Sequence, residues 1–225
     1  MLEKKSFKEN FKTEIDKLKK LSNKDKLWYI KEYYGIQIFL IILVLVLGFS
    51  LFFNIFKKQP VFSATFLNQP LNQNAYDKIY NEFYNYANLK ETKDSWQLNT
   101  SSNIVVKDGE IKGGVEYLAK INVMMAGNDL DTIITSDYFI EFFSRQDSLA
   151  NLEEVLPKEL IDLFKDKFLF KKGKDGIKRA YAINITDAPV IKDNVFVDLP
   201  AYFSIVSTSS NIDRAILFLK YLYNM

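Results

Sequence analysis

The sequence lacks two residue types entirely: its 225 residues include no cysteine and no histidine. Without cysteine there is no disulfide, no thiol nucleophile and no lipid-modified cysteine anchor. Without histidine, the commonest general base and the commonest zinc ligand are missing. The chain also has no Gly-x-Ser-x-Gly elbow, no Ser-x-x-Lys pair and no phosphate-binding loop. We therefore expect a protein that is not an enzyme and that carries no metal or other cofactor.

One long apolar run stands out, from Ile36 to Phe56, in which 17 of 21 residues are Leu, Ile, Val or Phe and none is charged. At about 1.5 Å per residue this run is roughly 31 Å long, which matches the hydrocarbon core of a bilayer. The run predicts a transmembrane helix over residues 35–57. A cleaved signal peptide is the alternative, but both the apolar run and the charged region before it are too long for one. We expect an anchor that stays in place.

The distribution of lysine predicts the orientation of this helix. Residues 1–34 contain ten lysines and six acidic residues, and six of those lysines lie close to the span. The positive-inside rule therefore places residues 1–34 in the cytoplasm and residues 58–225 outside the cell, on a bacterial membrane. Tryptophan, tyrosine and lysine flank the span and are expected to anchor it at the lipid headgroups: Trp28, Tyr33, Tyr34, Lys57 and Lys58.

The sequence predicts that the cytoplasmic arm, residues 1–34, is helical. Apolar side chains at steps of three and four predict an amphipathic helix with a basic face: Phe7, Phe11, Ile15, Leu18 and Leu21. A second helix is expected to begin at Ser22, where Asp25 completes a capping box. Two roles remain open for the arm: lying on the inner leaflet, or packing against another helix, either of a cytoplasmic partner or of a second copy. A signalling role would need a catalytic or output domain, which 34 residues cannot hold.

The remaining domain, residues 58–225, alternates predicted strands and helices. Strands are expected at 61–67, 96–98, 131–135, 180–185, 195–199 and 202–206, and helices at 74–87, 113–127, after Ser136, after Pro157 and at 211–223. This alternation predicts an α/β domain with a mostly parallel sheet and flanking helices. Its 18 basic and 22 acidic residues, counted over 59–225, include no basic stripe, so nucleic acid is not an expected partner.

Several sequence segments in this domain resemble those of a known protein family. The stretch 127–137, then 142–152 and 154–160, and the ending 201–222 are similar to the extracellular solute-binding proteins of the type 2 periplasmic-binding class. The resemblance implies one lobe of that fold. It departs from the family because no second lobe follows the strand at 180–185, so a small solute would not be enclosed from two sides. The chain resembles the short, single-pass, membrane-anchored form found in Gram-positive bacteria.

Candidate ligand-binding residues follow from the rule that open α/β sheets bind ligands at the carboxyl ends of their strands. That rule selects Asn68, Gln69, Thr135, Ser136, Asp137, Asn184, Thr186 and Asp187. The competing interpretation is that these residues cap helices and form turns. Asp129 and Asp131, two positions apart, could bind a cation, but their place before a strand favours solvated strand ends.

Two functions remain open. The protein could display a solute-binding-like lobe that binds a peptide, a lipid or a protein, in association with a transporter. Alternatively, the lobe could be an interaction or scaffold subunit that packs on another membrane protein and binds no small molecule. A concave polar groove at the strand ends would favour the first function, and an exposed apolar patch there would favour the second.

Overall fold

The computed structural model describes residues 16–17, 19–56, 60–92, 94–101, 104–194 and 200–225. The chain divides into two compact units, residues 1–58 and 59–225. The second unit is called the C-terminal domain below.

The first unit is dominated by one long helix, α1, which runs from Asn23 to Phe56. The predicted capping box at its start is confirmed in half: the Asp25 backbone N–H donates to Ser22 Oγ at 3.3 Å, but the Asp25 carboxylate accepts from the Ser22 hydroxyl at 2.6 Å rather than from the Ser22 backbone N–H. The apolar stripe predicted for the arm lies outside the described residues except for Leu21.

Helix α1 is the one described helix that is long and apolar enough to cross a membrane; the candidate span is Asn23–Phe49, and an 18-residue stretch within it has a mean hydropathy of 2.0. Its large apolar side chains from Ile36 to Phe49 are all exposed. A bilayer would remove this apolar surface from water, so the helix is compatible with a membrane anchor near the start of the chain. Lys57 and Lys58 lie outside the described residues.

The aromatic residues before the apolar run are arranged on α1. Trp28 and Tyr33 are exposed by 63% and 59%, and their role as anchors at the lipid headgroups stays a prediction. Tyr29, which the sequence analysis did not single out, stacks on Tyr33 with ring centroids 4.6 Å apart and lies 6.3 Å from the Tyr34 ring. The three tyrosines therefore form one aromatic group at the base of the apolar run.

The C-terminal domain contains a six-stranded sheet and a separate two-stranded hairpin. The strands are β1 Ser63–Leu67, β2 Gln97–Ser101, β3 Val105–Lys107, β4 Glu110–Gly113, β5 Thr132–Thr135, β6 Phe168–Lys172, β7 Lys178–Asn184 and β8 Tyr202–Ile205. Strands β3 and β4 form the hairpin, and the large sheet has the order β2-β1-β5-β8-β7-β6.

The sheet is mixed, which corrects the expectation of a mostly parallel one. Strand β1 pairs in parallel with β2 and β5, but the β5–β8, β8–β7 and β7–β6 pairs are antiparallel. Four strands (β2, β1, β5 and β7) thus share one direction, and β8 and β6 run against them. The reason lies in the connections: a tight turn joins β6 to β7, and β8 is inserted between β5 and β7.

Helices cover both faces of the sheet. They are α2 Gln73–Tyr86, α3 Leu89–Thr92, α4 Val115–Ala126, α5 Asp137–Ser144, α6 Leu152–Val155, α7 Lys158–Phe164, α8 Pro189–Asn194 and α9 Ile212–Leu222, with a 3₁₀ turn at Lys165–Lys167. One core contains the inward faces of α2, α7 and α9, and the other contains those of α4 and α5. Alternation along β5 sends Ile134 into the first core and Ile133 into the second.

The first core is built around an aromatic cluster formed by Phe62, Phe83, Trp96 and Phe218. Phe83 meets Trp96 and Phe218 edge-on at centroid distances of 4.9 and 4.8 Å, and Phe62 lies 5.5 Å from Phe218. The cluster joins β1 and α2 near the start of the domain to α9 at its end. Polar contacts reinforce this junction: the hydroxyl of Tyr221 donates to Glu82 Oε2 at 3.0 Å.

The structure also corrects the expectation that Asp129 and Asp131 are both solvated residues at the end of a strand. Asp129 is exposed as predicted, but Asp131 is only 2% exposed and is not a solvated strand end. Its Oδ2 accepts a hydrogen bond from the Ser63 backbone N–H at 2.8 Å, and its Oδ1 accepts from Ser209 Oγ at 2.6 Å and Asn211 Nδ2 at 3.1 Å. The carboxylate therefore ties the start of β1 to the segment that precedes α9.

Candidate functional site

The predicted site residues all follow strands that run in the same direction, so they lie along one edge of the sheet. Thr135 at the end of β5 and Asn184 at the end of β7 both pair with Tyr202, the first residue of β8. Because β8 is reversed, it begins where its two neighbours end. Tyr202 therefore lies between the predicted site residues that follow β5 and those that follow β7.

The predicted site residues that follow β1, Asn68 and Gln69, mainly stabilise the local backbone. Asn68 takes a left-handed conformation at φ 54, and its Oδ1 accepts from the Ile104 backbone N–H at 3.3 Å. Gln69 is 1% exposed, and its backbone carbonyl accepts a hydrogen bond from Thr100 Oγ1 at 3.2 Å. Neither residue lines the groove described below, so both match the turn-forming interpretation.

The groups after β5 divide between structure and charge. Thr135 is buried, and its hydroxyl donates to the Leu67 carbonyl at 2.9 Å, which ties β5 to β1. Ser136 is the N-cap residue of α5, although its side chain makes no capping hydrogen bond. Asp137 lies 2.6 Å from Lys171 Nζ on β6, forming an ion pair across the sheet edge.

Lys171 is the centre of a small charged cluster. Its Nζ also lies 3.3 Å from Glu141 Oε2, and its side chain is 17% exposed. Burial works against the charge on Lys171, but the hydrogen bonds to Asp137 and Glu141 outweigh it and raise the pKa of the ammonium above its usual value. The bonds from Lys171 and Arg145 in turn lower the pKa of Glu141. Lys171 is thus paired with two carboxylates of the same domain.

The groups after β7 line a groove of about 600 Å³. Nine residues form its walls: Asp166, Lys167, Phe168, Leu169, Asn184, Thr186, Asp187, Lys192 and Tyr202. Three of the eight predicted site residues are therefore brought together here. The other five lie elsewhere along the sheet edge.

One wall of the groove is fixed by an ion pair. Lys167 Nζ donates to both carboxylate oxygens of Asp187, at 2.8 and 2.6 Å, and to the Tyr223 hydroxyl at 3.3 Å. The same ammonium lies over the Tyr223 ring, 4.8 Å from its centroid. Burial opposes the charge, but these hydrogen bonds prevail and raise the pKa of Lys167, while the Lys167 bond lowers the pKa of Asp187.

Other residues of the groove offer hydrogen-bond donors. Asn184 Oδ1 accepts from the Thr186 backbone N–H at 3.0 Å, which fixes the side-chain amide and leaves its Nδ2 with no partner among the described residues. The Thr186 hydroxyl accepts from the Ala201 N–H at 3.0 Å. Tyr202, whose pKa is raised by burial, makes no hydrogen bond through its hydroxyl to any described residue. The groove thus presents an amide donor and a phenol donor beside Lys192.

Four functional candidates escaped the sequence analysis: Lys167, Lys192, Tyr202 and Tyr223. Two of them come from the reversed part of the sheet, because Lys167 immediately precedes β6 and Tyr202 begins β8. A rule that inspects only the ends of strands passes over both. The signal that would have found them is the strand direction, which local periodicity does not carry.

Comparison of the chain with known proteins gives no match among family models, curated proteins or solved structures.

Proposed function

We propose that this chain is a single-pass membrane protein that displays a non-catalytic, solute-binding-like lobe of the type 2 class outside the cell, in association with a transporter. In this arrangement residues 1–34 are cytoplasmic and the C-terminal domain is extracellular. Support comes from the exposed apolar surface of α1 and from the ten lysines that precede its apolar run.

The groove at the carboxyl end of β7 is the observation that carries this proposal. Its volume of about 600 Å³ is in the range of small-molecule sites, roughly 300–1,000 Å³. Its walls combine the apolar surfaces of Phe168 and Leu169 with the unpaired donors of Asn184 and Tyr202. Such a wall orients a ligand that carries hydrogen-bond acceptors, as peptides and lipid headgroups do. Binding without a second lobe relies on this one wall.

Thermal shift measurements on the full-length chain in neutral detergent test the proposal. The probes are a library of metabolites and short peptides, and at least one compound should raise the melting temperature of the wild-type protein. Asn184→Asp keeps the acceptor for the Thr186 N–H but removes the amide donor, and Tyr202→Phe removes only the hydroxyl. Both variants should reduce the shift.

Matched controls come from helix α2, away from the groove. Asn85→Asp and Tyr84→Phe make the same chemical changes and should leave the shift intact. If no compound stabilises the wild-type protein, or if both groove variants respond as the controls do, ligand binding in the groove is refuted.

The proposed orientation has a separate test. Protease added to intact cells should remove the C-terminal domain and spare an epitope tag placed before residue 1. Protection of the C-terminal domain would reverse the orientation, and release of a mature chain that begins after the apolar run would replace the anchor with a signal peptide.

A second candidate function, an interaction or scaffold subunit, is favoured by one surface. Helix α4 exposes an apolar stripe at helical spacing, Val115, Ala119 and Val123, with Val115 and Val123 exposed by 57% and 71%. The stripe is not at the strand ends, where this function was expected to place it. Photocrosslinking in cells from position 119 should trap a membrane protein if α4 is an interface, and crosslinking from exposed Lys78 on α2 is the control.

A further inference from the structure

The β6–β7 turn region carries a charge opposite to that of its domain. Residues 165–179, called the basic hairpin below, contain seven basic and two acidic residues, a net charge of +5, whereas residues 59–225 contain 18 basic and 22 acidic residues, a net charge of −4. Outside this hairpin the domain is therefore more acidic still. The acidic partners of these basic residues must lie either elsewhere in the domain or on another molecule.

Part of the charge is neutralised within the domain. Lys167 pairs with Asp187, Lys171 with Asp137 and Glu141, and Arg179 Nη2 with Asp175 Oδ2 at 2.6 Å. Four lysines are left exposed and form no ion pair with any described residue: Lys165, Lys172, Lys174 and Lys178.

Two of these lysines face each other directly. Lys172 on β6 is the register partner of Lys178 on β7. The Gly173 N–H donates to the Ile177 carbonyl at 2.9 Å, so 173–177 is a hydrogen-bonded pair and the next pair, Lys172–Lys178, is of the non-hydrogen-bonded type. In that type the Cα atoms are closest, about 4.5 Å apart, and like charges directly opposite are destabilising. An external anion would relieve this repulsion.

Apolar surface accompanies these lysines. Phe170 is 46% exposed, and Ile177 in the turn is 57% exposed. Strand alternation puts Phe170, Lys172 and the cross-strand Lys178 on one face. These three residues also line a shallow hollow of about 160 Å³, together with Glu141, Arg145 and Lys171. A partner that carries only charge would gain nothing from contact with the Phe170 ring, whereas a polypeptide with apolar side chains could pack against it.

We propose that the basic hairpin is the docking surface for an acidic, extended segment of a partner protein with interspersed apolar side chains. Strand β6 is the last strand of the sheet, so an extended segment could pair along its outer side; one outward backbone group, the Lys172 carbonyl, already accepts from Ser144 Oγ at 3.2 Å. Lysine on an edge strand also guards against aggregation. That role does not account for Lys174 and Lys178, which are outside the edge strand.

Binding to the full-length chain in nanodiscs of neutral lipid tests this proposal. The probe is a fluorescent eight-residue peptide of alternating Glu and Val, followed by anisotropy. A Glu–Ser peptide of equal charge and inorganic polyphosphate are the comparison ligands. We expect the Glu–Val peptide to bind more tightly than the Glu–Ser peptide, with an affinity that falls as salt rises.

The variant Lys172→Glu separates binding from folding. It replaces a repulsive cross-strand pair with an attractive one, so the melting temperature should be unchanged or higher, while the Glu–Val peptide should bind about tenfold more weakly. Lys158→Glu on α7 makes the same change at an exposed lysine outside the basic hairpin and should leave binding intact. The basic residues of the arm are common to all variants and contribute equally.

Three results would overturn the proposal. The Glu–Val peptide could fail to bind, it could bind Lys172→Glu as tightly as wild type, or polyphosphate and the Glu–Ser peptide could bind as tightly as the Glu–Val peptide. The last result would identify a surface for anionic polymers rather than for a protein segment.

Discussion

The buried carboxylate of Asp131 should be one of the most sensitive polar positions in the C-terminal domain. Replacing it with alanine removes three hydrogen bonds, from Ser63, Ser209 and Asn211, and leaves buried donors without acceptors. Hydrogen bonds to a charged group contribute about 1.5–3 kcal/mol each, but members of one network are not additive. We expect Asp131→Ala to lower the free energy of unfolding by about 3–5 kcal/mol.

This loss would be a large part of the total, because domains are usually stable by about 5–15 kcal/mol. Asp131→Asn should have a smaller effect, about 2–3 kcal/mol, because the amide oxygen still accepts from one side while the amide hydrogens face other donors. Asp129→Ala is the matched control: the same residue type two positions earlier is exposed and should change stability by less than about 0.5 kcal/mol.

Urea denaturation with tryptophan fluorescence measures these changes. The chain has two tryptophans, Trp28 and Trp96, so a Trp28→Phe background leaves Trp96, which is 3% exposed within the aromatic cluster, as the reporter of the C-terminal domain. If Asp131→Ala unfolds within about 1 kcal/mol of its parent, the carboxylate does not hold β1 and the segment before α9 together, and our interpretation of its hydrogen bonds is wrong.

Three further predictions concern the core, the groove and the β6–β7 turn. Phe83→Ala, which empties the centre of the aromatic cluster, should lower stability by about 3–5 kcal/mol in the same assay, and a loss below about 1 kcal/mol would contradict the packing. Since the pKa of Asp187 is lowered in the folded state, its contribution is present above its unfolded pKa, about 3.9, and disappears as the pH falls through the lower folded value. Asp187→Asn should therefore flatten the pH dependence of the free energy of unfolding below about pH 4, by less than about 1 kcal/mol because Asp187 is largely exposed. If the pH dependence below about pH 4 is the same in the variant and the wild type, the ion pair does not contribute to stability as proposed. Gly176 has a φ of 79, so Gly176→Ala should cost about 1–2 kcal/mol in urea, whereas a neutral effect would show that the turn tolerates a side chain.

Elements with a clear period were predictable from the sequence. Helix α4 begins after Gly114 and ends at Ala126, just before its C-cap residue Gly127, as the glycine positions indicated. Elements β1, α2 and α9 lie close to their predicted bounds. The strand predicted at 195–199 lies outside the described residues. The β3–β4 hairpin was missed because its short, largely exposed strands have too little burial to impose an apolar alternation.

Strand β6 was missed for a related reason. It follows the 3₁₀ turn without a break, and its two lysines interrupt the apolar pattern of Phe168 to Phe170. Missing β6 also concealed its hairpin with β7, and with it the mixed character of the sheet. Strand direction depends on how distant segments pair, which no local window contains.

The candidate site was predictable only in part for the same physical reason. Asn184, Thr186 and Asp187 were found because β7 follows the rule for strand ends. Lys167 and Tyr202 reach the same groove from the beginnings of strands, on the two reversed segments. Asn68, Gln69 and Thr135 satisfied the same rule but use their polar groups inside the fold.

The junction between α2 and α9 has a consequence for biogenesis. Hydrogen bonds from Tyr86 to the Met225 carbonyl and from Tyr221 to Glu82 each span 139 positions, and the aromatic cluster needs Phe218. A nascent polypeptide that has not yet delivered α9 leaves Phe62, Phe83 and Trp96 without their main aromatic neighbour. Strand β1 and helix α2 therefore complete their core only after nearly all the remaining residues have been synthesised, and a truncation before residue 211 should yield a protease-sensitive product.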